Sequence, residues 1–437
     1  MACGDACGRQ RLSFKTKSIH RKGAKEKPKK DAKYFLKNLC VLFFLCAFAV
    51  SVSSLRTNNS MTRPVVERST FEKSLLAIPA YWPIEWARQI RQRGTALPRD
   101  WLAYVRNAGA ITFPDKPDWV TPHTVAFETQ TMWLRDFSDK DAPADATPVI
   151  IDAPYAGHPS TIADYANGQS LVQTLKAGGC KRVYVTDWKS ATHEMRNFGI
   201  DKYLSDLHDA VEKIGGTAHL VGLCQGGWLS AMLAARFPGT VRSLVLAGAP
   251  IDTHAGNGPV TKMSKRTPFS FYRSLVAMGG GRMRGRFMLQ GWKNMHPDEH
   301  YWGKYIDLFD NITNPEYVAR ARHFARWYEH VVDLPGRMYL EAVKHLFKRN
   351  RLARGEFIAL GERISLKAIT VPLYLLAGSD DDITTPEQVF NAENLVGTPR
   401  DQIRKELAPG GHIGLFMGAK TLKQQWSRIS AWIVQQG

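Results

Sequence analysis

Residues 218–237 read AHLVGLCQGGWLSAMLAARF, and the reading of this stretch decides the fold. Ala218–Leu223 is a continuous apolar run of strand length, and Gly226–Phe237 has the pattern of a helix. Between them lies Gly222-Leu223-Cys224-Gln225-Gly226, of the form G-x-C-x-G. In the serine version of this pattern the nucleophile sits on a sharp strand-to-helix turn, where small flanking residues let backbone and helix approach closely. The turn lifts the side chain above the sheet and aims it at the helix N-terminus, whose dipole favours a thiolate. Cys224 is therefore the expected nucleophile, and the Gln225 N–H an expected oxyanion donor. The plainer alternative is a buried cysteine between packing glycines, and the strand–turn–helix context speaks against it. Cys180 follows Gly178-Gly179 into a strand and has no such context.

Outward from the elbow, strand-like and helix-like segments alternate. Pro148–Ala153 (PVIIDA), Arg182–Asp187 (RVYVTD) and Val241–Ala247 (VRSLVLA) read as strands, and Ile162–Ala177 and Tyr203–Ile214 as helices. Continuous apolar strands separated by helices predict a parallel sheet covered on both faces. Thr124–Glu128 and Thr131–Phe137 alternate with period two, as in an antiparallel hairpin at a sheet edge. Alternation stops at residues 252–360, which are rich in Trp, Phe, Tyr, Met and Arg, with helical periodicity and no clear strand. It resumes with Val371–Ala377, a helix over Pro386–Asn394, a short strand near Arg404–Leu407 and a helix over Ala419–Val434. The expectation is an α/β-hydrolase fold: a mostly parallel sheet, helices on both faces and a helical lid insertion. Residues 121–251 and 361–437 would form the core, 252–360 the lid, and 61–120, with helix-like Trp82–Arg93 and Asp100–Ala108, a helical N-terminal extension.

An elbow nucleophile needs a base and a carboxylate that orients the base, in the chain order nucleophile, acid, histidine. His412 lies in the glycine-rich PGGHIGLF loop after the last strand. The acid has three candidates, Asp380, Asp381 and Asp382, after the Val371–Ala377 strand. The pattern G-x-x-D-x-I favours Asp381, with Ile383 anchoring the loop, and Asp382 stands second. The second oxyanion N–H should come from the loop Ala153–His158, from Tyr155 or else Ala156. His158, Trp188 and Trp228 are candidate substrate contacts, with loop capping an equal reading for His158.

At this point the chain resembles the intracellular poly(3-hydroxybutyrate) depolymerases, cysteine-type relatives of the polyhydroxyalkanoate synthases, over roughly residues 148–434. The resemblance rests on APYAGHPST, VYVTDW, LVGLCQGG, the segment Trp327–Phe357 with its Asp-Leu-Pro, GERISLKAI, GSDDDIT and GGHIGLFMG. It implies a Cys224–His412–Asp381 triad, an acyl-thioester intermediate, and cleavage of poly(3-hydroxyalkanoate) ester bonds. The closest rival is a polyhydroxyalkanoate synthase-like acyltransferase using 3-hydroxyacyl-CoA, with the same triad but the chain hydroxyl as acceptor. The Gly-His loop and the Asp-Leu-Pro segment lean to the depolymerase. A small-ester hydrolase and a non-catalytic granule-associated protein are further alternatives. The sequence departs from the family pattern at Gly411 and Ile413, where Val and Tyr are expected, and over 61–120. The implied partner is the polymer or granule surface, and the implied site cytoplasmic.

Charge and cysteine usage bound the rest. The formal charge of the 437 residues is +19; residues 1–60 hold 13 Lys/Arg against three acidic residues, a net of +10, and the other 377 carry +9. A moderately basic body with no zinc-finger spacing and no helix of interleaved basic and aromatic residues argues against nucleic acid as partner. Four of the six cysteines, Cys3, Cys7, Cys40 and Cys46, fall in the first 50 residues, which leaves no disulfide scaffold in the body. No metal is implied, because the histidines lack ligand spacing, and no organic cofactor. The Lys/Arg run Arg9–Lys37 precedes the 14-residue apolar run Leu39–Val52, short of the roughly 20 residues a spanning helix needs. Three readings follow: a start of translation at Met61, an inner-membrane anchor through Leu39–Val52, or a signal peptide. Aromatics of 271–302 (Phe271, Tyr272, Phe287, Trp292, Tyr301, Trp302) with Arg282, Arg284 and Arg286 suit either helix packing or a greasy polymer surface.

Overall fold

The continuous apolar runs become the five central strands of one eight-stranded sheet, buried on both faces. The computed structural model describes residues 65–66, 68–69, 72–73 and 81–437. The basic and apolar segment 1–60, with its three readings, lies outside the described residues. The strands are β1 (Thr124–Glu128), β2 (Met132–Asp136), β3 (Val149–Asp152), β4 (Val183–Trp188), β5 (Ala218–Leu223), β6 (Val241–Ala247), β7 (Leu373–Gly378) and β8 (Ile403–Ala408). Their order across the sheet is β1-β2-β4-β3-β5-β6-β7-β8. β2 pairs antiparallel with β1 and β4, and all other pairs are parallel. This is the α/β-hydrolase fold, with the expected hairpin at one edge.

Neighbouring residues on each strand point to opposite faces. Ile150, Leu220, Leu244 and Leu375 join a core with Tyr203, Leu207 and Trp228. Their chain neighbours Ile151, Val221, Val245 and Leu376 join the opposite core with Leu171, Leu175 and Trp426. Helices α3 (Leu171–Ala177), α4 (Ile200–Lys213) and α5 (Gln225–Arg236) cover these faces.

Two expectations needed correction. The helix expected over Ile162–Ala177 begins only at Leu171. Before it, Ser160–Ala163 form a single tight turn, and Asp164–Ala166 pairs with Gln169–Ser170 in a small hairpin. The Asn167-Gly168 dipeptide makes the turn, with Gly168 at φ 75°. Buried Asp164 fixes it, accepting from the Val120 and Thr121 N–H groups and from the Thr121 and Ser170 hydroxyls. The segment expected to lack strands also contains a short antiparallel pair, Arg282–Met283 with Leu334–Pro335.

Between β6 and β7 the chain forms α6 (Pro259–Arg266), α7 (Phe269–Met278), α8 (Gly285–Lys293), α9 (Lys304–Asp310), α10 (Pro315–Tyr328) and a helical run begun by α11 (Gly336–Glu341) and continued by Ala342–Lys348. Of the N-terminal helices, α2 (Leu97–Thr112) packs on α9 and α10 of this insertion, and α1 (Trp82–Arg93) packs on α2. Arg93 ties them together: it pairs with Asp100 at 2.9 Å and donates to the Phe309 carbonyl at 2.7 Å. Trp101 and Tyr104 meet the Phe309 ring edge-on. Among the described residues no helix is long and apolar enough to cross a membrane.

Candidate active site

Cys224 occupies the strand-to-helix turn between β5 and α5 with φ 50° and ψ −114°. A non-glycine residue at positive φ stores strain, which the surrounding structure must overcome. Here the Cys224 N–H donates to the Ala247 carbonyl at 2.9 Å, and its carbonyl accepts from the Gly227 N–H at 3.0 Å. The glycines have the expected steric reason. A methyl group on Gly226 would overlap the Asp152 carbonyl oxygen, and one on Gly222 would come within 2.5 Å of Gly227 Cα. The first turn of α5 thus lies directly against the end of β3, where the loop Ala153–His158 begins. The N–H of Gln225, first residue of α5, belongs to the group that a helix leaves without an internal partner.

His412 and Asp381 meet where chain order placed them. Asp381 Oδ2 accepts from His412 Nδ1 at 2.7 Å, and its Oδ1 accepts the N–H groups of Ile383 and Thr384 at 3.0 and 2.8 Å. The His412 ring packs edge-on against Phe416, and glycine at 248 leaves it room: a Cβ there would lie 3.2 Å from His412 Cε1. Burial disfavours the imidazolium, yet the neighbouring Cys224 and Asp381 outweigh it and hold His412 well above the ordinary histidine value. Cys224 and Asp381 are thus the two groups whose charge favours a proton on this imidazole. The other two aspartates point elsewhere. Asp380 accepts from Ser379 and Gly410, and Asp382 pairs with His296 at 2.6 Å on the surface. Cys180 is buried against Ser430, and burial pushes its thiol up, as expected of an inert packing residue.

The loop after β3 is anchored at both ends. The Tyr155 phenol lies 2.8 Å from the Lys189 carbonyl and 2.9 Å from the Asp333 carbonyl, and its ring stacks on Tyr203. Its side chain is thus an anchor, which leaves only its backbone available to a reacting group. Trp188 and Trp228, expected as substrate contacts, are 4% and 2% exposed and sit in the core. The Trp188 indole N–H donates to the Ala153 carbonyl at 2.9 Å, so this residue holds the loop. Trp228 is buried because every residue of α5 from Gly226 to Ala235 is buried. His158 stacks between Trp327 and Tyr328, and burial pushes it down to about 4, so it is neutral.

Sequence reading missed a buried polar cluster beneath the loop. Thr186 Oγ1 accepts the Ala153 N–H at 2.9 Å and donates to Asp152 Oδ1 at 3.2 Å, while Ser230 donates to Asp152 Oδ2 at 3.0 Å. Burial pushes the Asp152 carboxyl up to about 8, against these hydrogen bonds. The one available signal was an aspartate closing the apolar run PVIID. The insertion also reaches the loop: Trp292 Nε1 donates to the Ala156 carbonyl at 3.3 Å.

Sheet order, strained elbow and the imidazole–carboxylate pair define a protein of the α/β-hydrolase class. Within it, the chain belongs to the family described as "Protein of unknown function (DUF3141)", whose model matches residues 130–434. Curated relatives carry a more specific name. The chain is 26% identical over 322 residues to a "Poly(3-hydroxyalkanoate) polymerase subunit PhaC" of Haloferax mediterranei, a match covering 72% of this chain and 64% of that protein. A protein of the same name from Allochromatium vinosum is 24% identical over 328 residues, covering 72% of this chain and 88% of the other. Among solved structures, the enol-lactonase from Burkholderia xenovorans LB400 matches with 15% identity and a TM-score of 0.45, over 72% of this chain and 100% of that one.

Proposed function

We propose that this chain is a polyhydroxyalkanoate polymerase-like acyltransferase that carries a 3-hydroxyacyl group on Cys224. The observation that carries the reading is the strained elbow at Cys224, within electrostatic reach of an imidazole that Asp381 orients. His412 takes the Cys224 proton, and the thiolate attacks the carbonyl of a hydroxyacyl thioester. Backbone N–H groups of Gln225 and of Tyr155 or Ala156 stabilise the oxyanion, worth about 3 kcal/mol per donor in comparable sites. The tetrahedral intermediate expels the thiol leaving group, which His412 protonates. A chain-end hydroxyl then gives its proton to His412 and attacks the Cys224 thioester; an ester bond forms and the thiolate returns.

The same triad would run hydrolysis if water replaced the hydroxyl, which is the depolymerase reading. One observation favours transfer, and a second removes a support of the depolymerase. The two curated relatives described above are named polymerases. The Asp-Leu-Pro segment, which leaned the sequence toward a depolymerase, serves the packing of the insertion, because Asp333 accepts the Gly285 N–H at 2.9 Å and pairs with Arg284 at 2.8 Å. It anchors the insertion and carries no information about the acceptor.

The test supplies 3-hydroxybutyryl-CoA and amorphous polymer granules in parallel. Free CoA with polymer growth, lost in Cys224→Ala, is the expected result. Release of 3-hydroxy acid from granules, with no CoA from the thioester, would return the reading to a depolymerase.

A further inference from the structure

From Thr253 to Pro297 the chain carries eight Lys/Arg and no Asp or Glu. Arg282 and Arg284 share Asp333, Lys293 shares Glu329 with Lys304, and Arg286 lies over the Phe287 ring. Lys262, Lys265, Arg266 and Arg273 are exposed and have no ion pair among the described residues.

These four cations stand on α6 and α7. On α6, Pro259, Lys262, Met263 and Arg266 fall on one helical face, while Val260, Thr261 and Ser264 turn inward. On α7, Phe271, Ser274 and Met278 form the outward stripe, and Tyr272 and Val276 are buried. α6 packs on Ala342–Lys348 and α7 on Gly336–Glu341, consecutive parts of one helical run, so both outer faces point away from the same support. Lys348 fixes the junction, donating to the carbonyls of Ser264 and Thr267 at 2.6 and 2.7 Å. Met263, Phe271 and Met278 are 47%, 52% and 67% exposed.

Single exposed apolar residues are ordinary, but here three large ones share two helices with four unpaired cations, on a stretch of chain that carries no acid. Each alternative partner uses half of this surface. A nucleic acid would engage the cations and leave Met263, Phe271 and Met278 in water. A bare polyester would cover the apolar groups and strip water from cations without a counter-charge. A phospholipid membrane with anionic headgroups satisfies both, with Lys and Arg at headgroup level and the apolar side chains at the acyl boundary. We propose that the outer face of α6 and α7 docks this protein on an anionic phospholipid membrane. The proposal is independent of the chemistry assigned to Cys224.

Residues 1–60 carry cations and an apolar run of their own, so total binding is not a sufficient readout and the test must be local. Full-length protein is mixed with vesicles of phosphatidylcholine alone, or of phosphatidylcholine with phosphatidylglycerol, each doped with a photoactivatable lipid. Adducts are then mapped by peptide mass. The proposal expects adducts within residues 259–278, on the anionic vesicles only. With about 1 kcal/mol per cation near such a surface, removal of three (K262Q/K265Q/R266Q) should lower labelling there on the order of 100-fold at limiting lipid. F271S/M278S should lower it as well, and Cys224 alkylation, unchanged in both variants, shows that they fold. Adducts confined to residues 1–60, or equal labelling on both vesicle types, would each overturn it.

Discussion

Replacing Asp381 by Asn separates the orienting role of this carboxylate from its structural one. Three N–H donors converge on it: Ile383 and Thr384 on Oδ1 and His412 Nδ1 on Oδ2. An amide offers only one oxygen. If that oxygen faces His412, the amide N–H₂ confronts two backbone N–H groups, and leaving both unpaired costs about 2–6 kcal/mol at about 1–3 each. If it faces the backbone, the N–H₂ points at Nδ1, and His412 need only adopt its other neutral tautomer. The second arrangement wins, so stability should fall by only about 1 kcal/mol, the difference between a charge-assisted and a neutral hydrogen bond. The proton then sits on Nε2, which can no longer accept from Cys224. Turnover should fall roughly 10⁴-fold, as for the equivalent change in serine triads. The assay pairs CoA release from 3-hydroxybutyryl-CoA with iodoacetamide alkylation of Cys224 and urea unfolding. Alkylation at neutral pH should slow too, by at most the roughly 30-fold that separates a full thiolate from an ordinary thiol. A loss below tenfold, or a loss of several kcal/mol of stability with alkylation unchanged, would refute the reasoning.

Asp382→Asn supplies the contrast: among the described residues Asp382 pairs with surface His296, so turnover should stay within about threefold of the parent, since exposed pairs contribute about 0–1 kcal/mol. Gly226→Ala should be far worse, because the added methyl overlaps the Asp152 carbonyl oxygen; overpacking typically costs about 1–3 kcal/mol, and calorimetry with Cys224 alkylation should show lower stability and a displaced thiol. Burial, assisted by nearby Arg242, holds His219 down to about 4, below its unfolded value of about 6.5. Its contribution is therefore complete above about 6.5 and lost as pH falls toward 4. His219→Gln should shrink the stability difference between pH 7 and 4.5, read by urea unfolding, by about 2–3 kcal/mol; an unchanged difference would mean that this imidazole is not the buried proton acceptor.

What the sequence disclosed and what it hid divide along physical lines. The elbow was legible because its glycines answer to local sterics: backbone contacts at Gly222 and Gly226 forbid a side chain in any sequence that makes this turn. His412 and Asp381 were legible because chain order in this fold restricts where a base and an acid can fall. The helix start was misplaced over Ile162–Ser170 because Asp164 takes its partners from Val120 and Thr121, some 43 residues away. The Asp152 cluster stayed hidden for a similar reason, since Thr186 and Ser230 come from a different strand and a helix. Trp188 and Trp228 resemble substrate contacts in sequence only because aromatic residues serve packing and recognition alike.

The most direct measurement is peptide mapping of the protein quenched during turnover of 3-hydroxybutyryl-CoA. A hydroxybutyryl thioester on the peptide containing Cys224, accumulating in the absence of a hydroxyl acceptor and absent from Cys224→Ala, is the predicted result. CoA release with no adduct at Cys224, or an adduct on Cys180, would contradict the account.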